Sequence, residues 1–279
     1  MGIAVRRLAG LYLPFMHRLT QHADVTALEM YTARSRLISY SVHVYVVRGA
    51  LVDTGSHAVR RDVARLVDEL RPRGALVTHS HEDHAGNVEL LARRGVPLAM
   101  GALTGQRVRQ VDPIGLYRRF TWESMPPLRA TPTPFAPDDL QLLPAPGHSA
   151  DHHVVWDAST RTLFGGDLFL GVKVRLMHPS EDPYAIIASL RAAIALAPER
   201  LFCAHRGAVP RPVEMLGARA EWLASTVGEI ERRIARGVDD DRAIAREVLG
   251  PEGLTGIVSR GEYAHVNVVR SVRRTLAAG

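Results

Sequence analysis

His79, His81, Glu82, Asp83 and His84 crowd into six consecutive positions of the stretch VTHSHEDHAGN, residues 77–87. Imidazole and carboxylate are ligands for divalent Zn, Fe, Mn or Co, so this density reads as part of a metal site. His79 and His81 alternate, and an extended backbone would point both to one side. Asp83 and His84 follow where the chain turns towards the next helix. Three more groups stand in similar settings: His148 in PAPGHS, Asp167 in FGGDLF and His205 in FCAHRG. Each lies beside glycine or another small residue, which lets the backbone approach a shared centre. Seven ligands are too many for one catalytic zinc, which keeps an open position for water. They suit two ions with three terminal ligands each and one bridge, and a water held between such ions attacks substrates near neutral pH.

The elements that must position these groups alternate between strand and helix. Residues 26–33 and 41–52 read as strands, the second rich in β-branched side chains with a turn at Gly49. In 57–71, Val59, Val63, Leu66, Val67 and Leu70 recur at helical intervals. Strand 74–79, helix 87–95 and strand 96–100 follow. The stretch 112–137 holds six prolines and four aromatics and predicts no regular element. A long loop in a compact domain is more often functional, so it reads as a substrate lid, with Tyr117, Phe120, Trp122 and Phe135 as an apolar wall. The alternative is packing against an N-terminal arm containing Leu11, Tyr12, Leu13 and Phe15. Strands are expected within 139–149, 153–157, 162–170 and 200–205, with a helix at 183–196. From about 211 onward the chain reads as helices, with an N-cap among Asp239–Asp241. The expected organisation is an α/β catalytic domain over 1–210 and a helical subdomain over 211–279, which could equally be the main domain's outer layer.

Composition narrows the class. The chain has 279 residues, enough for one large domain or a large and a small one. No apolar run approaches the ~20 residues of a membrane span. The start MGIAVRRLAGLYLPFMHRL does not read as an export signal, because Pro14 interrupts its apolar stretch and no small-x-small cleavage site follows. Cys203 is the only cysteine, which excludes an intrachain disulfide and fits a cytoplasmic protein. The net charge is +6, but Lys173 is the only lysine and the arginines are scattered. That skew argues against nucleic acid as a partner and leaves a small-molecule substrate.

HSHEDH with the later PGHS, GGD and AHRG resembles the metallo-β-lactamase superfamily over about residues 40–206. The resemblance implies a four-layer αββα sandwich with the site at one edge. It implies that His79, His81 and His148 bind one metal, that Asp83, His84 and His205 bind the second, and that Asp167 bridges. Two divalent ions are expected, zinc first, with iron or manganese as alternatives. Asp53 in LVDTG matches a family aspartate that orients ligands. Hydrolysis of a thioester, lactone or related acyl bond is the expected reaction, with Asp83 orienting water or moving a proton. Lys173 and Arg175, soon after Asp167, could hold a substrate carboxylate, and Tyr117 and Trp122 could line the pocket. Other branches remain open: a mono-iron persulfide dioxygenase, whose ligands are a subset of these, and β-lactam or phosphodiester hydrolases. His152 and His153 divide evenly between site and structural roles, while His43, His57, His178 and His265 read as structural or exposed.

Overall fold

A computed structural model describes residues 14 and 16–278. The proposed N-terminal arm, with Leu11, Tyr12, Leu13 and Phe15, lies outside the described residues. Among the described residues six strands form one sheet in chain order: β1 (Met16–His22), β2 (Val25–Met30), β3 (Val42–Val47), β4 (Ala50–Val52), β5 (Ala75–Val77) and β6 (Leu98–Met100). The first four pair antiparallel, and β4, β5 and β6 run parallel. Parallel neighbours need a crossover, and α1 (Arg60–Leu70) and α2 (Val88–Arg93) supply the two required here. The second sheet has the order β11-β10-β9-β8-β7, from β7 (Gln141–Pro144), β8 (His153–Asp157), β9 (Thr162–Phe164), β10 (Arg200–Cys203) and β11 (Gly207–Val209). Here β9 and β10 are parallel, joined through α5 (Pro183–Ala195).

Three clusters of buried side chains define the layers. Val25, Tyr45 and Leu76 of the first sheet meet Val155, Phe164 and Phe202 of the second, so the sheets pack face to face. The outer face of the first sheet is covered by Val63, Leu66 and Val67 of α1 and Leu91 of α2. The outer face of the second is covered by α5, α6 (Pro212–Ala235), α7 (Asp241–Leu249) and α9 (His265–Ala278), with the short α8 (Leu254–Val258) between the last two in the chain. The result is the expected αββα sandwich, with the C-terminal helices sharing one core with the second sheet. Asp240 is the N-cap of α7, where its side chain accepts from the amides of Arg242 and Ala243. No helix among the described residues is long and apolar enough to cross a membrane.

Residues 112–137 depart from the expectation of no regular element. Leu116–Trp122 is a helix, α4, preceded by α3 (Ala102–Arg107). The prolines stand at Pro113 and from Pro126 onward, which leaves a proline-free window for one short helix. The segment is also anchored. Glu89 accepts from the amides of Arg129 and Ala130, and Trp122, Met125 and Leu128 are buried in the core of the first sheet. The aromatic wall divides accordingly. Phe135 packs over Gly74 between the sheets, and Phe120 is 48% exposed with Arg34 over its ring.

Candidate metal centre

All seven metal-ligand candidates converge at the edge where β5, β9 and β10 end. His79, His81, His148 and Asp167 form one group of donor atoms, and Asp83, His84 and His205 form another, each within a 4.8 Å span. In the first group His81 Nδ1 lies 3.0 Å from His79 Nε2 and 3.1 Å from His148 Nε2. Burial pushes the imidazoles of His79 and His81 well below their usual range, so they are neutral. Neutral nitrogens gathered this closely suit a shared cation.

Asp167 joins the groups. Its Oδ2 is 3.3 Å from His148 Nε2, while its Oδ1 is 3.4 Å from His84 Nε2 and 3.3 Å from His205 Nε2. Asp83 Oδ2 faces the same two nitrogens at 3.6 and 3.4 Å. Burial opposes charge on His84, yet the carboxylates of Asp167, Asp83 and Asp53 outweigh it and hold His84 well above its usual range. Burial also opposes charge on Asp167, and His205, His84 and His148 hold its carboxyl well below the usual range. The second group therefore favours a cation. His84 Nε2, His148 Nδ1 and Asp167 Oδ1 are buried without a hydrogen-bond partner. Such orphans are rare in native proteins, and a divalent ion would satisfy His84 Nε2 and Asp167 Oδ1.

The outer nitrogens of His84 and His205 are held by the scaffold. Asp53 sits at the end of β4 with φ of +63°, where its Oδ2 accepts from His84 Nδ1 at 2.8 Å and its Oδ1 accepts from the Thr78 amide at 2.8 Å. His205 Nδ1 donates to the Ser41 carbonyl at 2.7 Å, and Tyr40 stacks on its other face with ring centroids 4.5 Å apart. Both contacts place Nε2 inward as the free nitrogen. Asn87 fastens the 79–84 loop to the segment after β4 by donating from Nδ2 to the carbonyls of Thr54, Gly55 and Ser56. It ends the histidine-rich stretch 77–87 itself, yet sequence reasoning passed over it.

His152 falls on the positioning side. It donates from Nδ1 to the Ala145 carbonyl at 3.0 Å, and its Nε2 accepts from the Asp167 amide at 3.0 Å. Burial pushes it down to about 3, which keeps it an acceptor. Gly166 leaves room for this contact, since a Cβ there would lie 2.7 Å from His152 Nε2. At Gly147, with φ of +135°, a Cβ would collide with the Ile186 amide, so the loop bearing His148 can approach α5 only as glycine. His153 does not join the cluster; its Nδ1 bonds to the Asp151 carbonyl.

A cavity of about 990 Å³ opens over the centre. Tyr117, Trp122, Lys173 and Arg175 line it, as does Tyr40. Arg118 belongs to no motif, yet its guanidinium forks onto the buried Glu82 inside the HSHEDH loop, with Nε 2.9 Å from Oε1. Glu181 was also missed; its Oε2 lies 3.7 Å from His148 Nδ1. His265, read as structural or exposed, lines the cavity too.

The metallo-beta-lactamase superfamily model matches residues 39–205. A beta-lactamase-like protein 2 homolog of Drosophila melanogaster is 29% identical over 186 residues, covering 60% of this chain and 57% of that protein. A hydroxyacylglutathione hydrolase of Shewanella baltica (strain OS185) is 32% identical over 165 residues, covering 56% of this chain and 55% of that protein. The chain thus spans little more than half the length of these curated relatives. The crystal structure of a metallo-beta-lactamase family protein from Thermus thermophilus superposes with a TM-score of 0.66 at 17% identity, covering 92% of this chain and 95% of that one.

Proposed function

This chain belongs to the metallo-β-lactamase superfamily, and on that premise we propose that it is a binuclear metal-dependent hydrolase of an ester-like acyl bond. In this reading His79, His81 and His148 hold one divalent ion, Asp83, His84 and His205 hold the other, and Asp167 is shared. One observation carries it: the two oxygens of Asp167 face different histidine groups. The donors are nitrogen and oxygen without sulfur, which suits zinc and also admits iron or manganese. Bound there, the ions supply Lewis acidity towards an acyl oxygen and a water acidified to near neutrality.

The chain's own residues do the rest. Asp53, Ser41 and Tyr40 fix the rings of His84 and His205 before substrate arrives. Asp83 is the group placed to orient a water or take its proton at a carboxylate oxygen. Tyr117 and Trp122 form an apolar wall that limits water around the acyl portion, and Lys173 and Arg175 offer positive charge to the substrate's far end. Residues 1–210 would carry the chemistry and 211–279 the helical subdomain, in a cytoplasmic enzyme acting on a small molecule. A mono-iron dioxygenase would use the first group alone and leave Asp83, His84 and His205 converging without purpose.

The test is an assay of the purified, metal-replete protein on thioesters, lactones, β-lactams and phosphodiesters. Thioester or lactone hydrolysis that a chelator abolishes and zinc restores is the expected result. Oxygen consumption with a persulfide, without hydrolysis of any ester, would reject the reading.

A further inference from the structure

Exposed apolar side chains gather at the mouth of the metal cavity, on three short segments. Leu37, in the 3-10 turn Ser35–Ile38, is 78% exposed. Leu116 and Phe120 project from α4, and Leu254, Ile257 and Val258 from α8, where Leu254 is 75% exposed. The segments are neighbours. Thr32 Oγ1 donates to the Thr121 carbonyl and Arg34 covers the Phe120 ring, which joins the turn to α4. The rings of Tyr117 and Tyr263 lie 5.9 Å apart, which joins α4 to the segment after α8. Leu254 and Val258 also line the cavity, and Leu170, Val174 and Leu176 continue its apolar lining inward. Apolar side chains gathered in this way mark an interaction site, whereas single ones are ordinary.

The charge on this rim selects its partner. Arg34, Arg36, Arg119, Arg206 and Arg260 stand exposed around it, and none forms an ion pair among the described residues. The acids of the same segments lie against histidines: Glu252 is 3.8 Å from His265, Glu262 is 3.9 Å from His178, and Glu123, past the end of α4, lies towards His57. A second copy of the chain would set these arginines against themselves, which like charges oppose. Single-stranded nucleic acid calls for aromatic faces on which bases stack, and this rim is aliphatic apart from Phe120, which Arg34 covers. Aliphatic side chains among arginines suit a bilayer with an anionic surface. The first enter the acyl boundary and the second meet headgroup phosphates.

We propose that this rim docks the protein reversibly on an anionic lipid surface, with the mouth of the metal cavity facing the lipid. Such docking needs no membrane-spanning helix. The attachment is a patch of side chains drawn from three elements, so it depends on the folded protein. A substrate with an acyl tail would then pass from the lipid to the metals along an apolar lining; only that consequence rests on the hydrolase reading.

The test is cosedimentation of the full chain, with its metals in place, with vesicles of phosphatidylcholine alone or mixed with phosphatidylglycerol. Partitioning onto the mixed vesicles is expected to be about tenfold or more stronger, and to weaken as salt rises. Leu37→Ser/Leu254→Ser keeps the charge and should lose about tenfold in binding to the mixed vesicles. Arg36→Gln/Arg260→Gln keeps the apolar groups and should reduce the preference for them by a similar factor. Val213→Ser/Leu276→Ser, which alters exposed apolar side chains away from the rim, should bind as the wild type does. All these side chains are exposed, and thermal melts matching the wild type verify each fold. Absence of binding to either vesicle overturns the proposal, as does binding that survives the leucine substitutions, which would be charge attraction alone. Dimers in sedimentation velocity that the leucine substitutions abolish, without vesicle binding, would assign the rim to a second copy instead. Failure of the hydrolase reading would appear separately, as absent hydrolysis with vesicle binding intact.

Discussion

Asp53 does not join either donor group, yet its carboxylate fixes the ring of His84 from behind. Asp53→Asn keeps the shape, and asparagine tolerates the left-handed backbone at φ of +63°. It should weaken metal binding about 10- to 100-fold, measured by chelator competition, while the metal-free protein still folds. Unchanged affinity would remove Asp53 from the account. At this scale the seven clustered residues were legible because each stands in a short motif beside small residues. Asp53 was legible through LVDTG. Tyr40, Ser41, Glu181 and Arg118 were not, because each reaches the centre from a distant segment and carries no local pattern. Asn87 could have been found: a polar residue between Gly86 and the start of α2 is a natural tie point.

Two ion pairs hold the elements that frame the centre. Arg118 on α4 forks onto Glu82, and both side chains are largely buried, 12% and 4% exposed. Arg118→Met leaves that carboxylate alone and should cost about 3–5 kcal/mol in a urea melt, with much of it recovered by adding Glu82→Gln. Equal stability of Arg118→Met and wild type would show that α4 is not clamped there. The other pair joins the sheets: Arg48, in the β3–β4 turn, donates from Nε to Asp157 Oδ2 at 2.7 Å at the end of β8. Burial raises the Asp157 carboxyl, but hydrogen bonds from Arg48, Ser159 and Thr160 outweigh it and hold the group at about 2. Because this lies below the ordinary 3.8, the stabilisation is complete above pH ~4 and lost as pH falls towards ~2. Asp157→Asn should therefore be less stable by roughly 2 kcal/mol at pH 7, with the gap closing in melts between pH ~4 and ~2. A gap independent of pH would contradict the assignment. Most elements were legible from their hydrophobic period, including α1 and the long α6. The misses are physical: α3, β11 and Leu254–Val258 are too short to show a period, β1 (MHRLTQH) is polar and reads as part of an N-terminal arm, and α4 sits in a gap between prolines. Register and layer order depend on contacts between distant strands, which no local window contains.

Across the whole molecule the two sheets and their covering helices form one frame, and Cys203 reports on it. The thiol is fully buried on β10, and burial pushes it up to about 12. Thiol labelling should therefore be silent in the native protein and follow global unfolding as denaturant rises; fast native labelling would show that the second sheet opens locally. The same frame brings the seven ligand candidates from the ends of β5, β9 and β10 and from the β7–β8 loop to one edge, where Asp167 faces both histidine groups. The most direct test of that geometry is metal content by elemental mass spectrometry, on wild type and on His81→Ala and His205→Ala. About two divalent ions per chain are expected in the wild type, with loss of about one in each variant. A single iron per chain that survives His205→Ala would contradict the binuclear centre.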